Sequence, residues 1–169
     1  MSFSLIPDYS FDKLTDITGD FLKELGVGLL LLDLDNTVSP YGEKDPSEEA
    51  IAWFEKLKGE GITLFFVSNT KKPRADHFAE RLGVGLIKHS RKPSPKGVNE
   101  ALKMHGVSKF DAALVGDQIF TDTLAANRAG VVSLLVEPIK FTNPFLAIRY
   151  GVEIPFRILA RHDLRSKHR

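Results

Sequence analysis

An α/β domain built on a doubly wound, all-parallel sheet is the fold class this sequence predicts. Three observations carry it. Residues 29–38, 62–67, 112–115 and 131–136 begin or consist of almost unbroken apolar runs, as expected of strands buried on both faces. Each of the first three runs leads into a stretch of helical periodicity, so strand and helix alternate along the chain. Three of the runs also stop abruptly at polar clusters, and the crevice beyond the carboxyl ends of parallel strands is where such folds bind ligands.

In order, residues 1–24 mix Phe3, Tyr9, Phe11 and Phe21 with polar groups around Pro7, and predict a helix starting at about Phe11 or Thr18 and ending at Gly26. Leu29 to Val38 then read as the first core strand, a continuous apolar run that ends abruptly in Asp33, Asp35 and Thr37. After the turn Ser39-Pro40-Tyr41-Gly42, Pro46-Ser47-Glu48-Glu49 opens a helix to about Lys58, with Ile51, Phe54 and Leu57 as its apolar stripe and Trp53 read as packing. The second strand, 62–67, ends at Ser68-Asn69-Thr70. A helix over about 73–82, a short strand near 84–87, the charged loop around Lys92 and a helix over about 95–105 follow. The strand 112–115 ends in Gly116-Asp117-Gln118, with Asp122 five residues beyond Asp117; a helix over 124–129 and a last core strand over 131–136 complete the alternation.

Composition bounds the rest. The chain has 169 residues, is 43% hydrophobic and carries 23 Lys+Arg against 22 Asp+Glu, which fits one soluble globular domain, with no internal repeat or low-complexity linker to divide it. The absence of cysteine removes disulfides, thiolate metal sites and cysteine nucleophiles. No apolar run approaches the roughly 20 residues needed to cross a bilayer, and the first residues lack the basic-then-apolar order of a signal peptide, so the expected location is the cytoplasm. Basic residues concentrate in the tail while the core is balanced, which argues against a nucleic-acid-binding module.

The polar strand ends carry the chemistry. If the strand continues between them, alternation aims Asp33 and Asp35 the same way, and two crowded carboxylates call for a shared proton or a cation, of which Mg²⁺ is the natural oxygen-loving choice. The same Asp-Asn pair also suits an Asx-type turn. Thr37 and Ser68 read equally as turn or cap hydroxyls, Asp122 as the N-cap of the next helix, and Lys92 as a solvated surface charge with Lys96 as its rival. His77, His89 and His105 show no ligand spacing and read as structural or surface residues.

Together, Asp33-Leu34-Asp35-Asn36-Thr37, Ser68 with Asn69, Lys92, and Gly116-Asp117 through Asp122 resemble the four signature motifs of the haloacid dehalogenase-like (HAD) phosphatases. Their order and spacing cover about residues 28–136. The opening Leu5-Ile6-Pro7-Asp8 and the absence of inserts resemble subfamily IIIA, and within it the YqeG-type branch that includes mitochondrial phosphatidylglycerophosphate phosphatases. The resemblance implies a Rossmann-like core and an aspartyl-phosphate mechanism. A carboxylate attacking an anionic phosphomonoester needs charge neutralisation, which Mg²⁺ and Lys92 supply, while Thr37, Ser68 and Asn69 hold the phosphoryl group. Asp33 is then the nucleophile and Asp35 the acid and base. By the same resemblance Mg²⁺ is held by Asp33, the backbone carbonyl of Asp35 and Asp117, with Asp122 helping through water or by orienting Lys92.

Many relatives carry a cap domain between the first and second motifs or between the second and third. Here one helix fills the first gap and a helix with a short strand the second, so a single capless domain over residues 1–169 is expected. Capless members close the site with a partner subunit, as in a homo-oligomer, or act on substrates too large for a lid. From Arg157 to Arg169 five Lys/Arg and two His face the single Asp163. With Asn143-Pro144 opening one helix and Pro155 a second, Arg157, Arg161 and Arg165 are expected on one face, beside Phe145, Leu146, Ile148, Phe156, Ile158 and Leu159. Basic plus apolar suits peripheral contact with an anionic membrane on its inner face, and thus a lipid headgroup as substrate; the plainer reading packs the apolar residues on the sheet and leaves the tail in solvent. A soluble sugar phosphate or nucleotide as substrate and a phospho-receiver switch are the competing functions. Asp35 separates the last of these, because a receiver needs no acid or base beside its nucleophile.

Overall fold

The structure, a computed structural model, describes residues 4–141 and 144–163. Tyr9–Phe11 forms a short strand, β1, followed by a 3₁₀ turn at Leu14–Asp16 and helix α1 (Gly19–Glu24), whose first turn is capped by the Thr18 hydroxyl accepting from the Phe21 N–H. The helix therefore begins at Thr18 rather than Phe11. Three residues are too few to show a period, so β1 had no legible signal; Phe21 at 5.1 Å from Tyr9 and 5.2 Å from Phe11 joins it to α1.

Then follow β2 (Leu29–Leu32), α2 (Glu48–Gly59), β3 (Thr63–Val67), α3 (Arg74–Leu82), β4 (Gly85–Ile87), α4 (Lys96–His105), β5 (Ala112–Gly116), α5 (Leu124–Ala129), β6 (Val132–Val136), α6 (Pro144–Ile158) and β7 (His162–Asp163). The sheet order is β4-β3-β2-β5-β6-β1-β7, and every pairing is parallel. The chain moves outward from β2 to β4, then crosses back to β5 on the other side of β2. That reversal places a topological switch point at β2.

All four β2 residues are buried because helices cover both faces. Leu30 and Leu32 join Phe54, Leu57, Phe78 and Leu22 on the α1–α2–α3 side. Leu29 and Leu31 join Val98, Ala101, Ala125 and Ala126 on the α4–α5 side. Trp53 is a core residue as expected, its indole N–H donating to the Ile17 carbonyl at 2.9 Å.

The C-terminal segment departs from expectation. α6 is one helix that continues through Pro155, not two, and β7 adds a two-residue edge beside β1. The missing N–H of Pro155 costs one bond, but Leu146, Glu153 and Arg157 are buried on either side of it and hold the helix on the core. Arg157 is therefore no surface cation: its guanidinium pairs with Glu153 at 3.1 Å and Glu137 at 3.4 Å and lies 4.4 Å from the Tyr150 ring. Arg161 pairs with Asp8 at 2.6 Å, and Arg165 lies outside the described residues, as does Asn143. The basic face expected of Arg157, Arg161 and Arg165 is thus not formed by Arg157, which turns inward. Nor do all the apolar neighbours pack on the sheet: Phe145, Ile148, Ile158 and Leu159 are exposed.

Candidate active site

Beyond β2 the ladder runs on for one bond, from the Asp33 N–H to the Val115 carbonyl, and the chain then folds back on the Leu34 carbonyl, which accepts from the N–H groups of Val38 and Ser39. Asn36 sits at φ 66, a left-handed conformation that Asn tolerates. Its side chain accepts from the Lys140 N–H at 2.9 Å and its carbonyl from the Ile139 N–H, so this loop is tied to the segment leading into α6. That bond was not legible in the motif.

Lys92 is 5% exposed and lies between two carboxylates, with its ammonium 2.6 Å from Asp33 Oδ1 and 2.7 Å from Asp122 Oδ1. Lys96, its rival, is exposed on α4. Asn69, expected to hold the phosphoryl group, is instead committed to the loop that carries Lys92. Its carboxamide donates to the Lys92 carbonyl and accepts from the Lys92 N–H, both at 2.8 Å, and from the Ser90 hydroxyl at 2.9 Å. Ser68 is buried, and its hydroxyl accepts from the Thr70 N–H.

At the end of β5, Gly116 lets Asp122 return over the strand: a Cβ at that position would stand 2.3 Å from the Asp122 carboxyl carbon. A π-helical turn, Ile119–Thr123, makes the return, and Asp122 accepts from the Gln118 N–H. Asp122 is thus part of the cluster rather than a helix cap. Oxygens of Asp33, Asp117 and Asp122 all lie within 4.8 Å of one another, and all three residues are buried. The Thr37 hydroxyl donates to Asp117 Oδ1 at 3.1 Å, so it orients a carboxylate of the cluster. The backbone carbonyl of Asp117 accepts from Arg157, and Glu153 accepts from the N–H groups of Ile119 and Phe120; α6 is thereby locked to the turn that carries Asp117.

Asp35 is outside the cluster. Its carboxylate pairs with Arg74 at the start of α3, whose guanidinium also donates to the carbonyls of Pro40 and Glu43. Asp33, Asp35, Tyr41, Ser68, Lys92 and Arg149 nonetheless line one open cavity of about 240 Å³. Arg74, Arg149 and Arg157 were missed as site residues because each reaches it from a helix with no motif around it, and Tyr41, just after the first motif, was read only as part of a turn.

The electrostatics show what the cluster lacks. Burial pushes the Asp33 carboxyl up to about 7, with Lys92 opposing the shift and Asp122 and Asp35 adding to it. Burial, then Asp122 and Asp33, hold Asp117 well above the usual carboxylate range. Burial disfavours the charge on Lys92, but Asp122 and Asp33 outweigh it and keep the amine above its ordinary value. Burial, then Asp117, Asp33 and Asp35, raise the Tyr41 hydroxyl to about 12. One lysine cannot neutralise three buried acids, and an all-oxygen donor set of this kind fits a hard divalent cation such as Mg²⁺.

A pH series follows from the signs. Asp33 has a folded-state pKa of about 7 against 3.8, so the folded state binds the extra proton and stability is lost as pH rises through about 7. With chelator present, the melting temperature should fall between about pH 5 and pH 8, and Mg²⁺ should flatten or reverse that slope. Thermal melts at fixed ionic strength check this; a rising slope in chelator contradicts the assignment of the cluster.

The sequence profile of the haloacid dehalogenase-like hydrolases matches residues 10–130. The "Probable phosphatase YqeG" of Bacillus subtilis (strain 168) is 35% identical over 155 residues, covering 92% of this chain and 90% of that protein. The "Phosphatidylglycerophosphate phosphatase 1, chloroplastic/mitochondrial" of Arabidopsis thaliana is 28% identical over 167 residues, covering 93% of this chain but 48% of its own length, so this chain spans about half of that relative. Among solved structures, the cobalt-bound deoxy-D-mannose-octulosonate 8-phosphate phosphatase of Haemophilus influenzae shares the fold, with a TM-score of 0.60 at 14% identity over 84% of this chain and 80% of that one.

Proposed function

The chain belongs to the haloacid dehalogenase-like hydrolases and is a phosphatase of that type, and from that premise we propose that it is a Mg²⁺-dependent phosphomonoester hydrolase acting on a phosphatidylglycerophosphate-like lipid headgroup. The observation that carries the hydrolase reading is the convergence of Asp33, Lys92, Asp117 and Asp122 at one strand edge. Asp33 attacks phosphorus and forms an aspartyl-phosphate while the alkoxide leaves. Lys92 aligns Asp33 and offsets charge on the phosphoryl oxygens, and the Ser68 hydroxyl donates to one of them. Asp35 protonates the alkoxide, then takes a proton from the water that cleaves the intermediate. To do so its carboxylate has to part from Arg74 and turn to the substrate. Asp33, Asp117, Asp122 and the Asp35 carbonyl would hold Mg²⁺, which when bound neutralises the cluster and polarises the phosphoryl group.

The lipid reading is supported by the plant relative and by what separates the site elements. Only α2 lies between the Asp33 loop and β3, and only α3 and β4 lie between Ser68 and Lys92. We read the domain as capless, leaving the cavity open to a headgroup anchored elsewhere. A phosphate-release screen with and without chelator tests it, using phosphatidylglycerophosphate in detergent micelles beside sugar phosphates and nucleotides. Metal-dependent release from the lipid above the soluble compounds is expected. Efficient turnover of a sugar phosphate with none of the lipid would replace the substrate and leave the chemistry standing.

A further inference from the structure

Met104 and Phe110 apart, every large apolar side chain exposed among the described residues lies between Ile139 and Leu159. Phe145, Ile148, Val152 and Leu159 are 69%, 68%, 57% and 59% exposed, and their spacing puts them on one strip along α6 and its last turn. The opposite strip, Leu146, Glu153 and Arg157, is buried. Such an apolar concentration on an anchored helix marks an interaction surface.

Charge decides what covers it. The only acid between Pro138 and His162 is Glu153, buried against Arg157. Lys140 is exposed, Arg149 half-buried, and Arg165, Lys167 and Arg169 follow in the sequence. A second copy docking by the same strip would bring like cations together across a two-fold axis. An anionic bilayer offers an apolar interior and negative headgroups in one surface. No helix among the described residues is long and apolar enough to cross a membrane, so the helix would lie on the bilayer rather than span it.

Arg149 links the strip to the site. It lines the cavity with Asp33 and Asp35, and its guanidinium carbon lies 5.9 Å from the Phe145 ring centre. We propose that Phe145, Ile148, Val152 and Leu159 seat α6 in the plane of an anionic bilayer, with Arg149 at headgroup level beside the catalytic cavity. The proposal deepens, and for its purpose rests on, the lipid-headgroup reading: a substrate presented this way keeps its acyl chains in the membrane.

The test is co-sedimentation of the full chain with vesicles of phosphatidylcholine alone and of phosphatidylcholine with phosphatidylglycerol. Wild type should bind the anionic vesicles. The triple variant Phe145→Gln, Ile148→Gln, Val152→Gln should lose about tenfold or more in binding while hydrolysing p-nitrophenyl phosphate as wild type does. Phe110→Gln, an exposed apolar change elsewhere, should leave binding unaltered, and melting curves report whether each variant is folded. Wild type left in the supernatant, or equal binding by a folded triple variant, overturns the proposal. So does a wild-type dimer that the triple variant converts to monomer without any vesicle binding, which assigns the strip to a second copy. Vesicle binding that depends on the strip, without hydrolysis of phosphatidylglycerophosphate in micelles, upholds docking and rejects the lipid substrate.

Discussion

Asp33→Asn is expected to lower phosphate release by about a thousandfold or more while leaving the protein at least as stable as wild type. The two effects have one origin. Asp33 is the carboxylate nearest Lys92, at 2.6 Å, and its acid form is favoured up to about pH 7 by burial and by Asp122 and Asp35. An amide of the same shape removes the proposed nucleophile and also removes a buried negative charge. In chelator, the variant's advantage in melting temperature should grow as pH rises from about 4 to about 7 and then level off, because over that range the unfolded chain ionises Asp33 while burial keeps it protonated in the folded protein. Only near about pH 4 and below, where Asp33 is protonated in both states, should the two proteins melt together. Phosphate release and melting measured on one preparation check both halves. Substantial hydrolysis by folded, purified Asp33→Asn would remove Asp33 from the nucleophile's role.

The strands around this site were legible because strands buried on both faces must be apolar throughout. Leu29–Leu32 and Ala112–Gly116 meet that demand and then break at polar residues, so the line of Asp33 and Asp117 along one edge was readable. Side-chain commitments were not. Thr37 and Asn69 stand where the motifs expect phosphoryl contacts, yet the folded chain turns one to Asp117 and the other to the loop of Lys92. A residue type at a position states what it can bond to, and packing decides which partner is within reach.

Arg157 shows the same limit from the other side. At intervals of four, Arg157, Arg161 and Arg165 read as a solvated basic face, but Glu153 one turn earlier and Glu137 from beyond β6 compensate the charge and allow Arg157 to be 2% exposed. Its bond to the Asp117 carbonyl then gives the C-terminal helix a hold on the acidic cluster. The exposed character of that helix lies instead in its apolar strip, which could be known only once the buried strip was.

Lys92→Met is expected to damage folding and chemistry together. Among the described residues Lys92 is the one cation bonded to Asp33 and Asp122, and removing a buried partner leaves its carboxylates uncompensated, a change that typically costs about 3–5 kcal/mol. For a chain of this size that corresponds to a fall of roughly 6–20 °C in melting temperature. The loss should be largest at high pH in chelator: without Lys92, Asp33 rises further above its ordinary value, and the folded state recovers only as its acids take up protons. Mg²⁺ should restore part of the stability by supplying the missing positive charge, but not the phosphoryl contact, so hydrolysis should stay about a thousandfold down. Lys96→Met, on the exposed side of α4, should change neither quantity. Melting of Lys92→Met within a degree or so of wild type at about pH 8 in chelator would mean that water, not Lys92, balances these carboxylates.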